Sequence, residues 1–145
     1  MENIIFAFDS FLFKLQNVYF LETKNNIIMD GFFTKFIYSD EYLTMNGIYL
    51  TFPIKINNLD NKCIYFQPFL MNNLSLIKEI SNIENQIIDY YKTVFSCNKK
   101  PVYLLSKQLY NGMIRFYKEK QENYVIKISG IWENKTDIGI TYKIL

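Results

Sequence analysis

The sequence predicts one α+β domain that is mainly β. Three observations carry this. Short segments rich in Ile, Phe and Tyr alternate in polarity before residue 70 and again after residue 112, one stretch between them changes to helical period, and the 145 residues match the usual size of a single domain. The longest apolar stretch, residues 4–15, is broken by Asp9 and Lys14, well short of the roughly 18 residues a membrane span needs, so a soluble chain without a membrane partner is expected.

Residues 4–13 are almost wholly apolar and β-branched or aromatic, which predicts a first strand, covered on both faces or lying in an interface, and not a signal peptide, because no basic segment or small-residue cleavage site accompanies them. Residues 31–38 predict a second strand, with Phe32, Thr34, Phe36 and Tyr38 on one face and Phe33, Lys35 and Ile37 on the other. Asn46-Gly47 between apolar runs predicts a tight hairpin, since both residues tolerate positive φ. The next strand alternates Ile48, Leu50, Phe52, Ile54 and Ile56 toward a core against Tyr49, Thr51, Pro53 and Lys55, which face solvent; its proline suggests an edge or a bulge. Residues 62–70 close this run of strands.

Between residues 75 and 95, Ile80, Ile83, Ile87, Tyr91 and Val94 recur at three- and four-residue steps, one apolar stripe of a helix. Ser81 and Glu84 have capping-box spacing, so the main helix is expected to begin there, with Glu79, Glu84 and Asp89 on its solvated side. A short helix is expected from Pro101 to Tyr110, stopped by Asn111-Gly112. Closing strands are expected over residues 113–118, 124–129 and 138–144, with Gly130 and the turn at 134–137 ahead of the last. Strands, a helical insertion and more strands match an OB-fold-like five-stranded barrel with the helix between strands 3 and 4, an order that other small α+β folds share.

Composition excludes more chemistry than it implies. The chain has no histidine, which removes the commonest general base and metal ligand and every Ser-His or Cys-His pair. No phosphate-cradling glycine loop occurs, and no acidic motif has metal-ligand spacing, so no enzyme activity, metal or cofactor is expected. Carboxylates alone leave only a metal-dependent nuclease as a remote catalytic reading. Cys63 and Cys97 follow no metal or redox spacing and read as buried small hydrophobes, in keeping with a reducing intracellular setting. Ile, Asn, Lys, Tyr and Phe supply 77 of the 145 residues, the signature of AT-rich codons, so aromatic abundance by itself argues for no binding surface.

Charge is more informative. Residues 1–98 carry net −3 and residues 99–145 net +5, so the basic share is C-terminal. Binding a single strand requires cations for phosphates and flat rings for bases on one surface. Candidates are Lys35, Tyr38, Tyr49, Lys55, Arg115 and Tyr117 (one face of their strand), Lys118, Lys127, Trp132 and Lys143. For Trp132, a lone tryptophan among apolar neighbours, core packing is the favoured reading over stacking, and Arg115, the only arginine, reads equally as half of a surface ion pair.

Residues 30–39 (Asp-Gly-Phe-Phe-Thr-Lys-Phe-Ile-Tyr-Ser) with Asn46-Gly47, and residues 127–133 (Lys-Ile-Ser-Gly-Ile-Trp-Glu) with Gly139-Ile140-Thr141-Tyr142-Lys143, resemble stretches of OB-fold single-stranded DNA-binding proteins of large eukaryotic DNA viruses. Lys100-Pro101-Val102-Tyr103 and Asn111-Gly112 extend the likeness. The resemblance implies a cofactor-free protein that coats single strands, DNA favoured, in viral replication or recombination, often as a dimer. It implies contact through Lys35, Tyr38, Arg115, Lys127 and Trp132. Some members end in an acidic recruiting tail, whereas this chain ends in Tyr142-Lys143-Ile144-Leu145. The alternative is a structural or self-associating protein that uses its aromatic faces for protein contact.

Overall fold

The alternation read over residues 31–38 forms β2 (Gly31–Ser39), which turns Thr34, Phe36 and Tyr38 inward. A computed structural model of the chain describes residues 6–26, 31–60, 62–115 and 123–145. Around β2 lie β1 (Val18–Asn26), β3 (Thr44–Met45), β4 (Ile48–Thr51), β5 (Ile56–Leu59) and β6 (Cys63–Phe66). Helix α1 (Met71–Val94), β7 (Lys100–Pro101), α2 (Leu104–Tyr110), β8 (Met113–Arg115), β9 (Val125–Glu133) and β10 (Asp137–Ile144) follow. The main sheet runs β1-β2-β9-β10-β7, with β3 on β2 and β4 on β9, and a second sheet runs β5-β6-β8. The chain is α+β and strand-dominated, as the sequence predicts.

The expected OB-like barrel is not what forms. Among the described residues, β1 has a strand partner on one side only and β10 meets β7 only at Asp137 and Ile138, so the sheet stays open. Helix α1, about 36 Å long at 1.5 Å per residue, places Ile77, Ile80, Ile83, Ile87, Ile88 and Tyr91 in one buried cluster with the inward Phe36, Ile126, Ile128, Ile131, Ile138 and Ile140 of the sheet. Each such side chain contributes roughly 1.5–3 kcal/mol by leaving water. The helix follows the sixth strand, not the third, because β3 is a separate two-residue strand and β5 and β6 peel away into the second sheet.

Several local expectations change with pairing. Residues 4–13 do not form a strand where they are described. Phe8 alone bridges β4, through Phe8 N–H to Tyr49 C=O and Thr51 N–H to Phe8 C=O, and the chain then coils into short 3₁₀ turns at Ser10–Leu12 and Leu15–Asn17. The polar residues cause this, since Asp9 accepts the Thr51 hydroxyl and the Ser10 hydroxyl donates to Glu79 on α1.

Asn46-Gly47 makes a turn but not a hairpin, because β3 pairs with β2 while β4 pairs with β9. Gly47 has φ +153 and lies on β9 so closely that a Cβ would sit 2.8 Å from the Ile128 carbonyl oxygen, which swings the chain onto β9. One edge of β9 thus serves β2 with residues 130–133 and β4 with residues 125–128. After Thr51 the alternation persists in burial (Phe52 and Ile54 in, Pro53 and Lys55 out) without a ladder. The buried Asn73 side chain stands in for a strand there, accepting from Lys55 N–H and donating to the carbonyls of Lys55 and Gln67.

Helix α1 is continuous through the expected capping box. Glu84 is not solvated: it is fully buried, on the stripe of Ile80 and Ile87, and accepts from Leu105 N–H (3.1 Å), Ser106 N–H (2.9 Å) and the Ser106 hydroxyl. It therefore caps α2 from a different helix, and Ser81 bonds the Ser106 hydroxyl beside it. Burial pushes the Glu84 carboxyl above its ordinary value, against those three donors. Pro101 does not open α2, because Lys100 N–H and Val102 N–H bind the carbonyls of Thr136 and Ile138 and hold residues 100–101 as β7. The helix ends as expected at Asn111-Gly112, with Gly112 at φ +76. Cys63 and Cys97 are half-buried, not buried.

Candidate nucleic-acid interface

Register determines which side chains share the outer face of the main sheet. With Thr34 and Phe36 inward on β2, the intervening Phe33, Lys35 and Ile37 point outward. On β9, Lys127 and Trp132 differ by five positions and in an unbroken strand would face opposite ways. A bulge at Ser129 reverses the phase: Thr141 pairs with Gly130, but Tyr142 pairs with Ile128. Ile126, Ile128, Ile131 and Glu133 accordingly point inward, and Lys127 and Trp132 stand together outside. Gly130, expected to separate two strands, instead lies inside β9.

Three rows cross this face. Lys24, Phe33, Trp132 and Gly139 are successive register partners across β1, β2, β9 and β10, followed by Lys35, Gly130 and Thr141, then by Tyr49, Lys127 and Lys143 across β4, β9 and β10. The glycines make room for the rings. A Cβ at Gly139 would lie 2.6 Å from the Trp132 ring, and one at Gly130 would lie 2.8 Å from the Phe33 ring. Trp132, half-buried, is anchored by its indole N–H donating to the Ile140 carbonyl at 3.2 Å. Lys24, Lys35 and Lys143 are exposed and have no ion-pair partner among the described residues.

The expected site residues divide into groups. Lys35, Tyr49, Lys127, Trp132 and Lys143 share the outer face. Tyr49 is nevertheless buried, not open to solvent, because the Lys127 ammonium covers its ring at 5.3 Å and its hydroxyl donates to Asn46. Tyr38 is buried on the opposite side, stacked on Phe8 and Phe13 with its hydroxyl accepting from Lys14 N–H, so no base reaches it. Lys55 is exposed but lies off the face, beside Leu70, Met71 and Asn73 at the start of α1. Tyr117 and Lys118 lie outside the described residues.

Arg115 belongs to the second sheet, opposite Cys63, yet it is exposed and joins the face from the side. With Trp132, Tyr142 and Lys143 of the main sheet and Leu104 and Gln108 of α2, it lines a groove of about 290 Å³ along the outer edge of β10. Arg115 also lacks an ion-pair partner among the described residues. Phe33 and Lys24 were missed as site residues, although the alternation over residues 31–38 already set Phe33 beside Lys35.

Behind the first row lies a polar network. Thr23 bonds Thr34, Thr34 bonds the Tyr91 hydroxyl, and Tyr91 donates to Glu133 at 2.5 Å, while Glu133 also takes the Lys99 ammonium (3.1 Å) and the Cys97 thiol (3.7 Å). Burial, reinforced by Glu133, pushes the Tyr91 hydroxyl up to about 12. The network ties β1, β2 and β9 to α1 beneath Lys24, Phe33 and Trp132. No group of three or more His, Cys, Asp or Glu among the described residues is placed to hold a metal ion, and no described helix is long and apolar enough to cross a membrane.

Comparison of the chain with protein-family models, curated proteins and solved structures found no match.

Proposed function

We propose that the chain binds single-stranded nucleic acid, DNA favoured, across the outer face of its main sheet, without catalysis and with little sequence preference. The observation that carries this reading is the shared face: the Phe33 and Trp132 rings, each bedded on a glycine, stand among Lys24, Lys35 and Lys143, which have no anionic partner among the described residues. Rings offer stacking that every base satisfies, and free ammonium groups neutralise phosphates. Coating of strands during replication or recombination of a large DNA virus, the role implied by the resemblance, belongs to the same proposal.

Fluorescence anisotropy of a labelled oligothymidine across a salt series tests it. Affinity that falls steeply as salt rises, and falls further with Arg115→Ala, is the expected result. Curves that ignore salt, alike in wild type and variant, would overturn the reading.

One observation favours a second reading, protein association, including self-association as a dimer. Phe6, Leu12, Tyr42 and Leu43 are exposed around a groove of about 650 Å³ between the N-terminal turns and the β2–β3 connection, Tyr42 at 91%. Sedimentation that depends on concentration and is abolished by Tyr42→Ser would support it.

A further inference from the structure

Resting on the nucleic-acid reading, we infer that the groove along the outer edge of β10 is a nucleotide pocket that takes one base of the bound strand and favours bases carrying a ring carbonyl over adenine. The groove adjoins the outer face through Trp132 and Lys143, so a strand lying on that face passes its mouth. Beyond Ile138, where Val102 N–H closes on the strand, β10 has no further strand partner on this side among the described residues, which leaves the groove open along the edge.

The chemistry of the lining sets the preference. The Tyr142 hydroxyl donates to Gln108 Oε1 at 2.5 Å, which engages the acceptor of that amide and leaves its NH₂ as the group that Gln108, in the groove lining, has to offer a base. Arg115 and Lys143 add donors, and no carboxylate lines the groove among the described residues. The pocket thus presents hydrogen-bond donors. Indole and phenol rings flank them, and Leu104 supplies an apolar wall. Thymine, cytosine and guanine each offer a carbonyl oxygen with two lone pairs to the Gln108 amide. Adenine has no carbonyl and accepts only through ring nitrogens, of which N1 and N7 lie beside its amino group and so set a donor against the donors of the groove. Arg115 and Lys143 are placed for the adjoining phosphates. A volume of about 290 Å³ accommodates one base.

Trp132 is the only tryptophan in the chain and borders both the groove and the outer face, so its emission follows strand binding and the change that depends on Gln108 and Tyr142 reports on the groove. Titration with oligothymidine and with oligodeoxyadenosine of equal length, at one ionic strength, should quench it with roughly five-fold tighter apparent affinity for thymidine, the scale of one hydrogen bond to a base. Weaker binding of deoxyadenosine caused by its own stacking would be the same for every variant, so the decisive quantity is how the ratio changes. Gln108→Leu should bring the ratio close to the value set by stacking alone, by weakening thymidine binding several-fold while deoxyadenosine binding changes less. Tyr142→Phe, which frees the amide to rotate, should move the ratio in the same direction and carries the test if the leucine variant does not fold. Salt-sensitive binding with the same ratio in all three proteins would overturn the pocket and leave the nucleic-acid reading standing. Absence of binding to either strand would overturn both.

Discussion

Trp132 and Gly139 are cross-strand partners on β9 and β10, and the indole lies against the glycine so closely that one added carbon would fall 2.6 Å from the ring. The pair therefore works as ring and bed. Gly139→Ala should force the indole off its seat and break its bond to the Ile140 carbonyl, at a cost of about 1–3 kcal/mol, the range for overpacking. Expected outcomes are a lower urea midpoint, red-shifted tryptophan emission and weaker oligothymidine binding. An alanine variant with unchanged emission would show that the ring is not held there.

Glu84 offers a test at a distance from the site. Its carboxyl is raised above the ordinary value of 4.5 in the folded chain, so the folded state binds the proton more tightly than the unfolded state. The contribution from this titration is therefore fully present below the unfolded value and is lost as pH rises through the higher folded value. Gln108 and the groove depend on α2, whose first N–H groups Glu84 caps. Glu84→Gln removes the titration, so the stability of wild type relative to the variant should increase as pH falls from 7 toward 4. Equal pH profiles of the two urea midpoints would refute the buried ionisable cap. Glu84→Ala, which leaves Leu105 and Ser106 N–H without their acceptor, should cost about 1–3 kcal/mol at any pH in this range.

Tyr91 supplies the opposite end of the pH scale. Its hydroxyl, raised from 10 to about 12, donates to Glu133 only while protonated. That stability is present below pH 10 and is lost between about pH 10 and 12, as the folded chain gives up its proton. Tyr91→Phe should lose about 1.5–3 kcal/mol at neutral pH, the range for a hydrogen bond to a carboxylate whose partner is removed. Wild type and variant should converge as pH approaches 12.

The strands and their faces were legible where alternation alone decides them. Phe36 in and Lys35 out follow from period two, and the helical stripe of Ile80, Ile83 and Ile87 follows from period 3.6. That same stripe contains Glu84 by spacing, and only its charge suggested solvent. Pairing between distant strands was not legible: Asn46-Gly47 marks a turn equally well whether its flanks pair with each other or with β2 and β9. The bulge at Ser129 carries no sequence signature that separates it from a strand end, yet it decides whether Lys127 and Trp132 share a face. Tyr38 and Tyr49 show the other limit, since period gives a side and not what covers it.

The cations of the face can be counted. For single strands the slope of log affinity against log salt is about −0.7 per phosphate neutralised, so loss of one contact flattens it by about 0.7. Lys24→Ala, Lys35→Ala and Lys143→Ala should each show that change, because each ammonium is exposed and has no competing carboxylate among the described residues. Lys55→Ala should leave the slope alone, since Lys55 lies off the face at the start of α1. Lys99→Ala should also leave it alone, its ammonium being held by Glu133 and the Phe32 ring. Lys127 falls between these cases: its ammonium covers Tyr49 in the free chain, so it must leave that ring to reach a phosphate, and a base that displaced it would find the ring beneath. Lys127→Ala should accordingly flatten the slope while lowering affinity less than the other face variants, because it uncovers a stacking surface as it removes a charge. Equal flattening by Lys55→Ala and Lys35→Ala would show that binding follows total charge and not this face.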